Sequence, residues 1–254
     1  MEFYFSKTFG IFDLGEVHYW KCAGCGFCVS KTHLEMSESE YSRLNIDFHL
    51  TNHYRDDNPY NRAKRYLNQA LMLSIMCKHG LIRTGSWLDW GCGIGALATR
   101  LRDYFGLTLM AYDEYFVPRT NAVSRTDLLP RSFDLVVNTA VFEHLRQRKS
   151  LDQIESLVST RGCLAVHTLV RETVPQDPDW MYLLPVHCAF FTNKSMQHLM
   201  EQWGYRSSVY NEDAKLWVMF HDDPEAISNG VGQVNESLGW EYLHFAKGFM
   251  DYWK

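Results

Sequence analysis

Trp87-Leu88-Asp89-Trp90-Gly91-Cys92-Gly93-Ile94-Gly95-Ala96, followed by Leu109-Met110-Ala111-Tyr112-Asp113, reads as a strand, a glycine turn, a helix and a second strand ending in an acid. Such a unit is half of a nucleotide-binding sheet. A side chain at Gly91 or Gly93 would block the turn or hold the backbone away from a ligand, and one at Gly95 would crowd helix against strand. Asp113 lies 22 residues beyond Gly91, near the offset of about 20 at which a strand-end carboxylate meets ribose hydroxyls. Read as Gly91-x-Gly93-x-x-Ala96, the turn also fits a dinucleotide fingerprint, in which a helix N-terminus receives a pyrophosphate. Asp89 separates the two readings. A carboxylate two residues before the turn repels a pyrophosphate and attracts a sulfonium ligand that carries an amino group.

Leu88-Asp89-Trp90-Gly91-Cys92-Gly93-Ile94-Gly95 resembles the first motif of class I S-adenosylmethionine (SAM) methyltransferases. Ser132-Phe133-Asp134-Leu135-Val136-Val137-Asn138-Thr139-Ala140-Val141-Phe142-Glu143-His144-Leu145 resembles the fourth-strand motif of that superfamily. Pro185-Val186-His187-Cys188-Ala189-Phe190-Phe191-Thr192 is similar to its His-x-x-Phe-Phe-Thr segment. The Glu-His-Leu ending belongs to the branch that includes ubiquinone-biosynthesis O-methyltransferases and many sugar and natural-product methyltransferases. The resemblance runs from about residue 50 to 221. It implies a Rossmann-like, doubly wound α/β fold with a mostly parallel seven-stranded sheet and a C-terminal antiparallel hairpin. It also implies SAM as cofactor, held by Asp89 and the backbone of Gly91, Gly93 and Gly95, with Asp113 on the ribose, Asp127 on the adenine amino group and a backbone contact from Asn138 near the methionine portion.

The 254 residues, 46% of them apolar and 15% aromatic, suffice for one α/β domain with extensions. A net charge of -5 gives no broad cationic field, so long nucleic acid is a disfavoured partner. No charged-then-apolar leader and no apolar run near 18 residues is present, which predicts a soluble, cytoplasmic chain without a membrane partner. Seven cysteines, an odd and scattered set, fit reduced thiols rather than a disulfide framework.

Three units are expected: a cysteine-containing segment over 1–50, the methyltransferase domain over 51–221 and an aromatic helical extension over 222–254. The first reads as irregular. Its Tyr19-Trp20-Lys21-Cys22-Ala23-Gly24-Cys25-Gly26 is similar to the second knuckle of zinc ribbons fused to methyltransferases of this branch. A structural zinc site needs four donors, and no cysteine precedes Cys22. A degenerate, zinc-free ribbon is therefore expected, with zinc at Cys22, Cys25 and Cys28, completed by His18 or His33, as the alternative. From Asn58-Pro59 a helix follows, with Tyr66, Leu67, Ala70, Leu71, Leu73 and Met76 on or near one face. Between Asp113 and Phe133 the chain is too short for a full helix and strand and carries Pro118 and Pro130, so a shrunken helix and a brief strand near Ala122 to Arg125 are expected. In the extension, Trp240, Leu243, Phe249, Tyr252 and Trp253 read as an aromatic helix that packs on the core, with a homodimer contact as its other use.

Methyl transfer from a sulfonium needs alignment and the management of one proton. His187 is the preferred general base, with His144 and Glu143 beside it on the rim beyond the fourth and fifth strands. The same side chains resemble the metal site of small-RNA ribose 2′-O-methyltransferases, whose Glu-x-x-Glu-His motif here has Ala140 at its first glutamate. That loss argues for no metal. Trp180 and Tyr182, in a long loop from Arg171 to Ala189, are candidate walls of the acceptor pocket. The reading is a SAM-dependent methyltransferase, of the O-methyltransferase type, acting on a hydroxyl of a small-molecule or sugar-containing metabolite. Its rivals are a metal-dependent nucleic-acid ribose methyltransferase and a non-catalytic binding module of the same fold.

Overall fold

A computed structural model describes residues 1–53 and 59–251, with side chains described outside 52–62. Tyr252 and Trp253, expected in a C-terminal helix, and Asn58, expected at a helix start, lie outside the described residues. The larger sheet contains β4 (Trp87–Trp90), β5 (Met110–Tyr112), β6 (Phe133–Thr139), β7 (Val158–His167), β10 (Ser207–Asn211), β11 (Leu216–Phe220) and β12 (His244–Lys247). Its order is β12-β10-β11-β7-β6-β4-β5. The strands from β5 to β7 run parallel, with Leu88 opposite Val136 and Val136 opposite Leu164. β10, β11 and β12 are antiparallel.

Alternation along these strands builds two cores, as period-2 side chains must when both faces are covered. Leu88, Val136 and Leu164 pack on one side with α5 (Arg148–Glu155) and α6 (Asn193–Trp203). Leu135, Val137 and Ala165 pack on the other with α3 (Pro59–Lys78), α4 (Ala96–Phe105) and α7 (Pro224–Leu238). Leu97 and Leu101 of α4 are fully buried, as their spacing predicts, whereas Leu67 and Leu71 of α3 are exposed, so that helix buries a narrower stripe. Thr192 caps α6 by accepting from the Ser195 amide at 3.1 Å, and Gly204 ends it.

Four expectations are corrected. Residues 1–50 are not irregular: β1 (Glu2–Phe9), β2 (Gly15–Lys21) and β3 (Cys28–Ser30) form an antiparallel sheet that continues into β9 (Ala189–Thr192) and β8 (Val170–Arg171). The cause is a small core of its own, in which Phe5, Val17, Tyr19, Cys28 and Phe190 meet. Among the described residues, the aromatic tail from Trp240 to Asp251 forms no helix. α7 ends at Gly239 in a left-handed cap, and Leu243 and Phe249 then pack inward around edge strand β12, with Phe249 stacked on Trp217 at 5.2 Å. The hairpin of β10 and β11 therefore does not close the sheet, because β12 lies outside it. At the opposite edge the brief strand expected near Ala122 shrinks to one parallel bridge, Ala111 to Ala122, and the short helix to a 3-10 turn over Arg125–Asp127.

The N-terminal segment also supplies α1 (Lys31–Glu35) and α2 (Glu38–His53), which are fastened to the loop after β6. Arg146 donates to the carbonyls of His33 and Met36, pairs with Glu38, and lies 4.4 Å from the Tyr41 ring centroid. The Tyr41 hydroxyl donates to the His144 carbonyl at 2.6 Å. Buried His33 donates from Nε2 to the Pro185 carbonyl at 2.7 Å and accepts at Nδ1 from Ser30 Oγ at 2.6 Å. No described helix is long and apolar enough to cross a membrane.

Burial, with the nearby charges of Arg146 and His187 adding to it against the Pro185 hydrogen bond, lowers the His33 pKa from 6.5 to about 4. The folded chain therefore binds a proton there later than the unfolded chain does, so this stability is present above pH 6.5 and is lost as pH falls towards 4. Chemical denaturation at pH 7 and pH 4.5 is expected to show a loss about 2 kcal/mol greater in the wild type than in His33→Gln. Equal pH slopes for the two would contradict it.

Candidate functional site

One cavity of about 510 Å³ opens at the carboxyl ends of β4, β5, β6 and β7. That is where open α/β sheets bind ligands. Its floor is the glycine turn from Trp90 to Ile94 and the loop from Asp113 to Phe116. Its walls are Thr139, Ala140, Val141, Glu143 and His144 after β6, His167 at the end of β7, and Tyr182, Leu184 and His187 from the long loop. The remaining wall is Tyr41, Asn45, Phe48 and His49 of α2 with Arg65 and Tyr66 of α3.

At the turn, Gly91 has φ +76, and a Cβ there would lie 2.6 Å from Val141 Cγ2, so this glycine lets the β6 loop close onto β4. Gly93 has φ +56 and nothing within 4 Å of where its Cβ would be, which leaves an open cradle on the cavity floor. Gly95 does not face a strand as expected. A Cβ there would meet Pro118, Arg119 and Thr120 at ordinary contact distances, so it borders the loop after Asp113.

Asp113 brings the two halves of the turn together. Its Oδ2 accepts from the Gly93 amide at 2.7 Å, and its Oδ1 from the amides of Tyr115 and Phe116. Asp89 sits between Ala111 and Val137 in the sheet, 1% exposed, behind the cavity lining rather than on it. Its Oδ1 is buried without a hydrogen-bond partner. Burial, with the Asp113 charge adding to it, pushes the Asp89 carboxyl up to about 8. Asn138 is likewise behind the lining: its Nδ2 donates to the Trp90 carbonyl at 2.9 Å and steadies the turn from below. An orphaned carboxyl oxygen, a second acid within Coulombic reach and an open glycine cradle suit a ligand bearing positive charge. Asp127 is not brought to the cavity. It is exposed and accepts from Ser124 N and Oγ, bonds that hold its pKa low and cap the 3-10 turn.

The second constellation does converge. Glu143, His144 and His187 each present one donor atom within 4.8 Å of the others'. Glu143 accepts from Tyr182 Oη at 2.5 Å and from Thr168 Oγ1 at 2.9 Å, one bond on each oxygen, which fixes its orientation. His187 Nδ1 donates to the Tyr182 carbonyl at 2.8 Å. His144 Nδ1 donates to Asn45 Oδ1 at 3.2 Å, since Asn45 Nδ2 is committed to the Tyr41 carbonyl. Each imidazole thereby keeps its Nε2 lone pair, and the rings meet edge to face at 4.8 Å. Burial lowers both pKa values, well below the ordinary range for His144 and against the opposing Glu143 charge for His187. Both bases are neutral at pH 7.

Trp180 is not a cavity wall: it is buried in the N-terminal core against Phe190 and Tyr182, and of the pair only Tyr182 lines the cavity. Among the cysteines, Cys28 is fully buried in that same core, where desolvation raises its thiol to about 12. Cys22 and Cys25 are half-buried, and His33 is committed to Ser30 and Pro185. Among the described residues, the converging group of metal-type donors is the one at Glu143. The sequence reading missed Asn45, Thr168, Arg65 and His167. Tyr41, Asn45, Phe48 and His49 do recur at helical spacing, and that stripe was the available signal.

A family profile described as a methyltransferase domain matches residues 52–207. Among solved structures, the chain is similar to the plantazolicin methyltransferase BpumL in complex with a monoazolic desmethylPZN analog and SAH, at 13% identity and TM-score 0.50, covering 86% of this chain and 95% of that one. A SAM-dependent methyltransferase from Thermotoga maritima matches at 15% identity and TM-score 0.49, over 70% of this chain and 99% of that one. Phosphoethanolamine N-methyltransferase 2 of Haemonchus contortus, in complex with SAM, matches at 16% identity and TM-score 0.43, over 70% of this chain and 46% of that one. At these identities the likeness concerns the fold. No curated protein matches the chain.

The two turn glycines are expected to fail differently. Gly91→Ala collides with Val141 and should cost about 2–4 kcal/mol of stability by chemical denaturation. Gly93→Ala should cost only about 1 kcal/mol but weaken SAH binding by calorimetry at least about tenfold. Unchanged SAH affinity in Gly93→Ala would contradict the cradle.

Proposed function

Because the chain belongs to the methyltransferase-domain family, we propose that it transfers a methyl group to a hydroxyl of a small-molecule or sugar-containing metabolite, with His187 as general base. The cofactor is SAM, whose sulfonium supplies an activated methyl group when bound. Asp89 and Asp113 favour its positive charge, Gly93 gives its backbone room, and the first turn of α4 borders it. Asp113, which accepts from the Gly93 amide beside the cradle, would hold the ribose hydroxyls.

The observation that supports the base is the fixed tautomer of His187. Its Nδ1 proton is held by the Tyr182 carbonyl, so Nε2 is the atom that accepts a proton. Glu143, 1% exposed, is oriented by Tyr182 and Thr168 and offsets the charge that His187 acquires. Asn45 holds His144 in the matching tautomer beside it. An N-methyltransferase often needs no base, so the base is what favours an oxygen acceptor. Tyr182, Phe48 and Tyr66 give the cavity flat apolar walls suited to a ring or sugar face.

A divalent ion at Glu143, His144 and His187 is a second reading, favoured by the convergence of their donor atoms. Against it, the first glutamate of the related metal motif is Ala140 here, which leaves three donors where that motif supplies four. Activity that survives dialysis against a chelator removes this reading.

The test of the main proposal is transfer of radiolabelled methyl from SAM into fractionated metabolites, followed by identification of the labelled atom. His187→Ala should lower kcat by about 10²–10⁴ and leave SAH affinity unchanged. With the His187 pKa lowered by burial, the rate should fall only on the acid side, below pH 6.5, in a setting that includes Glu143, His144, Tyr182 and His33. Full activity in His187→Ala, or label on nitrogen, would overturn it.

A further inference from the structure

Arg65 lines the cavity beside Tyr66 and His167 and has no part in the mechanism above. Its Nη1 donates to His167 Nε2 at 3.3 Å, and its Nε is buried without a hydrogen-bond partner. His167 cannot balance the charge. Its Nδ1 donates to the Lys215 carbonyl at 2.6 Å, so Nε2 is a neutral acceptor, and desolvation with the Arg65 charge lowers its pKa to about 3. Among the described residues, no carboxylate lies within 4.0 Å of the guanidinium. A guanidinium with an unused buried N–H is stabilised by a planar anion.

The cavity is thus divided by charge. Asp113 stands on its floor after β5 with Asp89 of β4 buried behind that floor, and Arg65 stands over the end of β7. β7 is separated from β4 by β6 alone, a distance of roughly 10 Å at about 4.8 Å per strand. A cationic cofactor is drawn to the acids, and the arginine is left for whatever lies beside it, next to Thr139 and Ala140. Ala140 sits at φ +56 with its N–H donating to the His167 carbonyl at 2.7 Å, a strained backbone at this corner of the cavity.

We propose that Arg65, backed by His167, is an anion subsite that receives a carboxylate or phosphate group of the methyl acceptor, so that the substrate is an acid-bearing hydroxyl compound. This rests on the methyltransferase reading. A neutral His167 contributes by holding one guanidinium edge, leaving Nε and the other amino group to form a forked pair with the acid.

The test is calorimetry in two stages. SAH is titrated into the wild type and into Arg65→Gln, and then benzoate, phenyl phosphate and neutral benzyl alcohol are each titrated into the SAH complexes. Wild type should bind one of the acids at least about tenfold more tightly than the alcohol, Arg65→Gln should lose that preference, and its SAH affinity should stay within about twofold. Should that variant fold poorly, Arg65→Lys is expected to keep the preference in reduced form. Equal binding of acids and alcohol by the wild type, or no binding of any probe, overturns the proposal. So does a parallel loss of SAH affinity in Arg65→Gln, which assigns the guanidinium to the cofactor's own carboxylate. Failure of the wild type to bind SAH at all is a separate outcome and sinks the methyltransferase reading itself.

Discussion

A carboxyl group buried in the middle of a sheet, with one oxygen lacking any hydrogen-bond partner, is what the rest of this site depends on. Burying an isolated carboxylate costs several kcal/mol, so Asp89 instead retains its proton up to about pH 8. Leucine or valine there would fill the same strand position without that cost. The acid is useful only when positive charge arrives above it. Asp113 sharpens the same demand, because its charge raises Asp89 further and its side chain already grips the turn. Gly91 and Gly93 give the geometry that makes the arrangement accessible. One admits Val141 beneath the turn, and the other leaves space above it.

Much of this was legible in the chain because it is local. The strand, the glycine turn, the second acid and the cap at Thr192 each depend on residues adjacent in sequence, so pattern and chemistry coincide. Asp127 and Trp180 were misplaced because their surroundings are set by tertiary contact. Asp127 is taken up by Ser124 in a 3-10 cap away from the cavity, and Trp180 by the core built by Phe5, Tyr19 and Phe190. Asn138, expected to contribute through its backbone, has a second task in its side chain, which strand alternation turns to the Trp90 carbonyl. The aromatic tail was read from composition alone. Gly239 ends the helix before the tail's first tryptophan, and β10 offers an open edge to the residues that follow.

The N-terminal segment is the part whose function the sequence concealed. Its cysteines drew attention to metal binding, yet its structural contribution lies in what it covers. β3 pairs with β9 just after His187, and α2 sets Tyr41, Asn45, Phe48 and His49 over the cavity. Asn45 reaches His144, and His33 holds the loop that carries His187 through the Pro185 carbonyl. The segment is therefore a wall of the site and a positioning frame for both imidazoles. Charge is distributed to match, with acids beneath the turn and Arg65 across from them.

The central claim is that Asp89 waits protonated for a cation. Calorimetric titration of SAM at pH 7, repeated in buffers of different ionisation enthalpy, measures it directly. Binding should release close to one proton from the wild type and almost none from Asp89→Asn, which should also bind SAM more weakly. Binding without proton release, or equal affinity and equal release in the two proteins, would contradict the account.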